Sequence, residues 1–171
     1  MDDRLERLVP ADRLGRALFR ACEVFALVGG AIFVGIAIMS FASIASRSLF
    51  NQPIPGDYEL VQVACAMFVA MCLPICQMLG GNIIVDFFTT RLSTATQRRL
   101  DAFGALLLAL VMLLVGWRLA AGTLSMRETG ETSTIVGWPT WYTYAAMVPG
   151  VLLTSAAGFY TAWRHWLSAR P

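Results

Sequence analysis

The chain has 171 residues, 57% of them hydrophobic and 14% charged, with a formal net charge of +2. Soluble domains carry about 25% charged residues, so this composition excludes an ordinary water-soluble globule. The small net charge says little by itself, because orientation in a bilayer depends on where the basic residues lie.

Four long windows are nearly free of charge: Val24 to Ser46, Leu60 to Leu79, Ala102 to Trp117 and Thr132 to Trp163. Crossing a bilayer core takes roughly 20 apolar residues at about 1.5 Å rise each. The first, second and fourth windows reach that length; the third does so by including Arg118 and continuing to Leu124. The expected fold is an all-α membrane protein in a single membrane domain, 1–171. Its four transmembrane helices are expected over 24–46, 58–79, 100–122 and 138–163, together with interfacial amphipathic segments.

In chain order, residues 1–22 read as a cytoplasmic amphipathic segment. Within it, Leu14, Ala17, Leu18 and Ala21 share one helical face while Arg13, Arg16 and Arg20 lie on the other, and Asp12 can cap the start. Such a segment either lies on the membrane surface with its arginines toward anionic head groups or extends the first membrane helix. Ser43-Ile44-Ala45 has the small residues of a cleavage site, but the apolar stretch outruns the 7–15 residues of a signal peptide, so an uncleaved anchor is expected. The first loop contains Pro53 and Pro55, which break a helix, and Gly56-Asp57, expected to turn and cap before Tyr58. Glu59 stands in the first turn of the second helix, where a carboxylate suits the helix dipole.

Residues 80–99 form the second loop, expected to be cytoplasmic. Gly80-Gly81-Asn82 is followed by Ile83, Ile84, Val85, Phe87 and Phe88, interrupted by Asp86; this is too apolar for a solvated loop and too short to span, so an interfacial segment fits. Thr94 to Asp101 leads into the third helix. After it, Gly130 to Thr134 is polar, and then Trp138, Trp141, Tyr142 and Tyr144 make an outer aromatic belt. Pro139 suits the first helical position. Tyr160, Trp163 and Trp166 form the matching inner belt, a kink is expected at Pro149-Gly150, and 164–171 is a cytoplasmic tail. Small residues at four-residue spacing, Ala31/Gly35 and Gly116/Ala120, would let helices approach closely.

All 13 basic residues are arginine. Arg4, Arg7, Arg13, Arg16, Arg20, Arg91, Arg98, Arg99, Arg164 and Arg170 fall in the first segment, the second loop and the tail. The first and third loops hold only Arg47 and Arg127. The positive-inside rule places both termini and the second loop in the cytoplasm, with Arg118 snorkelling at the outer end of the third helix.

Chemistry in the chain is sparse. Paired axial histidines for haem need two, and His165 is the single histidine. A membrane disulfide-forming enzyme needs extracytoplasmic cysteine pairs, whereas Cys22, Cys65, Cys72 and Cys76 lie in or at the ends of the expected helices. A proton-coupled exporter needs a carboxylate deep in the membrane, and Glu23, Asp57, Glu59, Asp86 and Asp101 all stand at helix ends or in loops. Cys65, Cys72 and Cys76 share a helical face near Met71 and Met78, a soft-ligand set suited to Cu(I), or simply small hydrophobes and gap fillers. An independent four-helix membrane redox or metal protein is therefore the alternative reading. The leading one is a packing subunit, not an enzyme, with no catalytic, cofactor or metal site of its own.

Three local patterns point further: Arg47 followed by a proline-containing loop and Gly56-Asp57-Tyr58-Glu59-Leu60; Gly80-Gly81-Asn82-Ile83-Ile84-Val85-Asp86; and Gly130-Glu131-x-Ser133 with Pro139-x-Trp141-x-x-Tyr144 and Pro149-Gly150. In this order around four helices, they resemble the small membrane (DctQ-type) subunit of a tripartite ATP-independent periplasmic (TRAP) transporter. Asn82 stands where the family usually has histidine, and Gln77, Met78 and Leu79 replace a stretch that often carries arginine. The resemblance implies a bacterial inner-membrane protein with two partners besides lipid, a large M-type membrane subunit and a periplasmic P-type solute-binding protein, and no nucleic acid. The large subunit would hold the substrate and sodium sites; this chain would brace its scaffold and help dock the binding protein for sodium-driven uptake of an organic acid. Residues expected at partner interfaces are Arg47, Glu59, Asp86, Glu131, Ser133, Pro139, Trp141, Tyr144 and Pro149. Arg47 and Glu59 would pair to fix the first loop or meet the binding protein.

Overall fold

A computed structural model describes residues 12–51, 54–80 and 94–168. Four helices account for most of them: α1 (Arg13–Phe50), α2 (Asp57–Met78), α3 (Thr94–Thr129) and α4 (Trp141–Ser168). All four are long and apolar enough to cross a membrane, and no strand is present among the described residues. Asp86 and most of the apolar second loop lie outside the described residues.

The helices run past the apolar windows. α1 has 38 residues, about 57 Å at 1.5 Å per residue, against a hydrocarbon core of about 30 Å. Its first turns, Arg13 to Cys22, continue without a break into the apolar stretch. α3 likewise has 36 residues. Apolarity marks only the part suited to lipid. Backbone hydrogen bonding continues through good helix formers such as Arg, Leu, Ala, Met and Glu until something stops it. α1 stops at Asn51, which takes the left-handed conformation (φ 54°) while its N–H bonds the Arg47 carbonyl at 3.0 Å.

Neighbour contacts run in the order α1, α2, α4, α3 across the molecule, and α1 and α3 do not meet among the described residues. The end helices are correspondingly open. In the most apolar part of α1, 6% of residues are buried, against 39% in α4. Close approach is made by glycines. Gly29 of α1 lies against Met71 and Cys72 of α2, beside the stacked rings of Phe33 and Phe68 at 4.6 Å. On the other side Gly116 lies under Leu152, and Gly158 rests on Ala109, where Ser155 Oγ donates to the Ala109 carbonyl at 2.8 Å. α2 and α4 meet at Gly150, whose α-carbon faces the Ala70 backbone. Nearer the termini, Gln77 Nε2 donates to Thr161 Oγ1 at 3.0 Å.

Several expectations change here. Of the two small-residue pairs, Gly116 is at a helix contact, but Ala31 and Gly35 are exposed and Gly35 has open space beside it. Tyr160 is buried in the bundle, whereas Trp163 and Trp166 are exposed. Pro139 precedes α4 by two residues and pairs with Thr132 in an antiparallel bridge instead of opening the helix. The α2 cap is Gly56, with φ 78°, and Asp57 is the first helical residue.

A Cβ on Gly56 would strike the Cγ2 methyl of Val136, and the backbone there is left-handed. Gly56→Ala should therefore destabilise the chain by about 1–2 kcal/mol from the backbone alone, plus the clash. Adding Val136→Ala should recover the clash and leave the backbone cost, a partial rescue readable as two melting temperatures in detergent.

Candidate functional site: a carboxylate clasp at the loop end

The first and third loops, the C-terminus of α1 and the N-termini of α2 and α4 gather at one end of the molecule. The first turn of α2 supplies two carboxylates, Asp57 and Glu59. Residues two apart on a helix point to nearly opposite sides, so the two cannot serve one partner. Asp57 turns to α1: Oδ2 accepts from Ser43 Oγ at 2.6 Å, with Arg47 Nη2 at 3.8 Å, and Oδ1 accepts from the Tyr58 N–H at 2.8 Å. Ser43 is 1% exposed and also receives the Ile54 N–H at 3.4 Å, which draws the first loop inward.

Glu59 turns to the third loop. That loop is a tight return: Thr132 bridges Pro139, the Ser133 N–H bonds the Trp138 carbonyl at 2.8 Å, and the Gly137 N–H bonds the Ser133 carbonyl at 3.2 Å. Gly137 makes the return at φ 73°. The turn converges N–H groups on one point, a concavity that suits an anion. The Glu59 carboxylate fills it, accepting from Ser133 Oγ, the Ile135 N–H at 3.3 Å and the Val136 N–H at 3.4 Å. The carboxylate also complements the α2 dipole, so the local role and the long-range one coincide in one side chain.

Of the nine residues expected at interfaces, the structure therefore joins Glu59 with Ser133. It does not join Arg47 with Glu59. Arg47 goes to Asp57, because the 200° between positions 57 and 59 puts Glu59 on the side away from α1. The Arg47 side chain is largely exposed, and a pair of that kind contributes little to stability. Glu131 is exposed and contributes its carbonyl, which accepts from the Thr140 N–H and Oγ1 at 3.1 and 2.8 Å. Trp141 stacks on Tyr142 at 3.9 Å, and the Arg127 guanidinium lies 5.5 Å from the Trp141 ring centroid. Tyr144 is half-buried, and Pro149 sits within α4 beside the Ala70 contact of Gly150. The parts of the clasp that sequence reasoning missed are Ser43, the side-chain role of Asp57, and Arg127. Ser43 lay inside an apolar run and was legible only as a small residue of a cleavage-site pattern. Asp57 was legible only as a turn residue.

Cys22 is buried, and Cys65 and Cys72 are half-buried. Cys72 lies against α1, its Sγ 4.0 Å from the Ala26 carbonyl, and Cys76 is exposed. Among the described residues no three His, Cys, Asp or Glu side chains are grouped to hold a metal.

Residues 36–168 match the family model described as tripartite ATP-independent periplasmic transporters, DctQ component. The chain belongs to the DctQ family. The match takes in all of α2, α3 and α4 and the C-terminal part of α1 that carries Ser43 and Arg47, and so every residue of the clasp. No curated protein and no solved structure matches the chain. As a DctQ component with four span-capable helices, it is a multi-pass membrane protein of a TRAP transporter and works with that transporter's other components.

Proposed function

We propose that this DctQ chain braces the stationary scaffold of the large M-type subunit and helps dock the P-type solute-binding protein, for sodium-driven uptake of an organic acid. In this reading the chain lies in the bacterial inner membrane with both termini cytoplasmic, and the clasp end faces the periplasm. The arginine count on alternate segments supports that orientation. Sodium and cargo would be held by the large subunit.

The observation that carries the bracing role is the openness of the end helices. α1 packs almost wholly on α2, and α3 on α4, which leaves Phe41 and Ile44 exposed on α1 and Leu113, Leu114 and Trp117 on α3. The polar side chains buried among the described residues are neutral: Ser43, Gln77, Thr143, Thr154 and Ser155. That set suits helix packing more than the passage of an ion. The docking role is supported by the third loop, which Glu59 holds in one shape while Ile135, Val136 and Trp138 remain exposed on it.

Purification in mild detergent should recover the chain with a much larger membrane protein in fixed ratio. Recovery as a homodimer that transports substrate by itself would overturn the reading.

A further inference from the structure

We propose that the N-terminal turns of α1 form a binding site for an anionic phospholipid: Arg13, Arg16 and Arg20 hold the headgroup phosphate, and the exposed face of the same helix carries an acyl chain. The three guanidiniums and Ala17 line an open recess of about 230 Å³. Gly15 and Cys22, seven positions apart, are buried and mark the inward face of the helix. At 100° per residue, Arg13, Arg16 and Arg20 lie on the side away from it. Among the described residues none of the three has a carboxylate within ion-pair distance, although Glu23 stands one turn on and Asp12 one residue before.

The same outward face, followed along α1, carries Val24, Leu27, Ala31, Val34 and Ile38, all exposed. Val24 is 57%, Leu27 69% and Ile38 65% exposed. A charged recess at the head of a straight apolar track has the chemistry of a whole phospholipid. A free phosphate would use the recess and leave the track unexplained. The level is also right for a headgroup. Cys72 meets Ala26 and Gln77 meets Thr161, so the end of α4 shares this end of the molecule, and there Trp163 and Trp166 are exposed as membrane-interface rings are. Helix length agrees, since a 38-residue helix outruns the hydrocarbon core and must place its polar turns in the headgroup layer. The arginines lie before residue 36, outside the part of the chain that matches the family.

The test reconstitutes the full chain in phosphatidylcholine vesicles with trace spin-labelled phosphatidylglycerol or spin-labelled phosphatidylcholine, and measures the protein-restricted fraction of each. The wild type should prefer the anionic lipid by about fivefold or more, and high salt should abolish the preference. R13Q/R16Q/R20Q should bring it close to one. R13K/R16K/R20K should keep most of it, and this arm with the salt titration still decides if the glutamine variant fails to fold. R118Q, on α3, should leave it unchanged. Inorganic phosphate exchanged for chloride at constant, low ionic strength should not displace the lipid. Equal restriction of both lipids by the wild type, an unchanged preference in the glutamine variant, or full displacement by phosphate would overturn the site. So would loss of the preference in the complex with the larger subunit, since that would make this face a subunit contact.

Discussion

Gly150→Val drives α2 and α4 apart, and even Gly150→Ala costs about 3 kcal/mol, the upper end of the overpacking range. The added Cβ would meet the Ala70 carbonyl oxygen, with the carbonyl carbon at 2.9 Å and the Met71 nitrogen at 3.4 Å. All three are backbone atoms of a packed helix and cannot rotate aside as a side-chain tip would. Pro149 precedes the contact and has no N–H to give to the α4 ladder, while Thr154 Oγ1 returns a hydrogen bond to the Gly150 carbonyl at 2.9 Å. The crossing thus joins a glycine, a proline and a back-bonded threonine on one side to a bare stretch of helix backbone on the other. Gly35→Ala is the matched control. Its new methyl meets nothing within 4 Å, and replacing a helical glycine by alanine stabilises by roughly 0.5–1 kcal/mol. Thermal melts of the three chains in one detergent should rank Gly35→Ala at or above wild type, Gly150→Ala well below, and Gly150→Val lowest or unfolded. A Gly150→Ala chain as stable as wild type would show that α2 and α4 do not cross at this point.

The second large effect is on the third loop. Glu59→Ala removes the one group on which Ser133 Oγ and the Ile135 and Val136 N–H groups converge. Ser133 Oγ and the Ile135 N–H then lose their acceptor together and the Val136 N–H keeps only Ser133 Oγ, at 3.3 Å, so the third loop loses its tie to α2. Hydrogen exchange at positions 133 to 137 should accelerate strongly in Glu59→Ala and less in Ser133→Ala, where the carboxylate still holds the two backbone groups. Glu59→Gln should fall between, since an amide oxygen accepts but carries no charge. The double variant should be little worse than Glu59→Ala, the non-additivity expected of residues sharing one network. If the proposed docking role is right, uptake by the assembled transporter should follow the same rank order. Unchanged exchange in Glu59→Ala would contradict the clasp.

The four spans were legible because a bilayer demands long uncharged runs, and little else in a chain this size produces them. Helix ends were less legible. Arg13 to Cys22 and Leu124 to Thr129 carry charge, and charge marks departure from lipid without ending a helix. Pro139 fitted the first position of α4 by its fixed φ, but the return of the loop onto Thr132 claimed it first. At the site, Glu59 was visible as a first-turn carboxylate and Ser133 as part of a motif. That the two meet across 74 positions depends on α2 and the third loop sharing one end, and on which way residue 59 points. The same rotation gives Arg47 to Asp57. Small residues were legible as a type, and their contacts were not. Gly35 and Gly150 both sit in apolar helices, and only the order of helices across the molecule decides which of them meets a neighbour.

The most direct test of the supporting role is uptake by proteoliposomes that hold the large transporter subunit, with and without this chain, supplied with loaded binding protein and a sodium gradient. The account predicts uptake only when both membrane components are present, and none from this chain alone. Full uptake by the large subunit without it, or uptake by this chain alone, would contradict it.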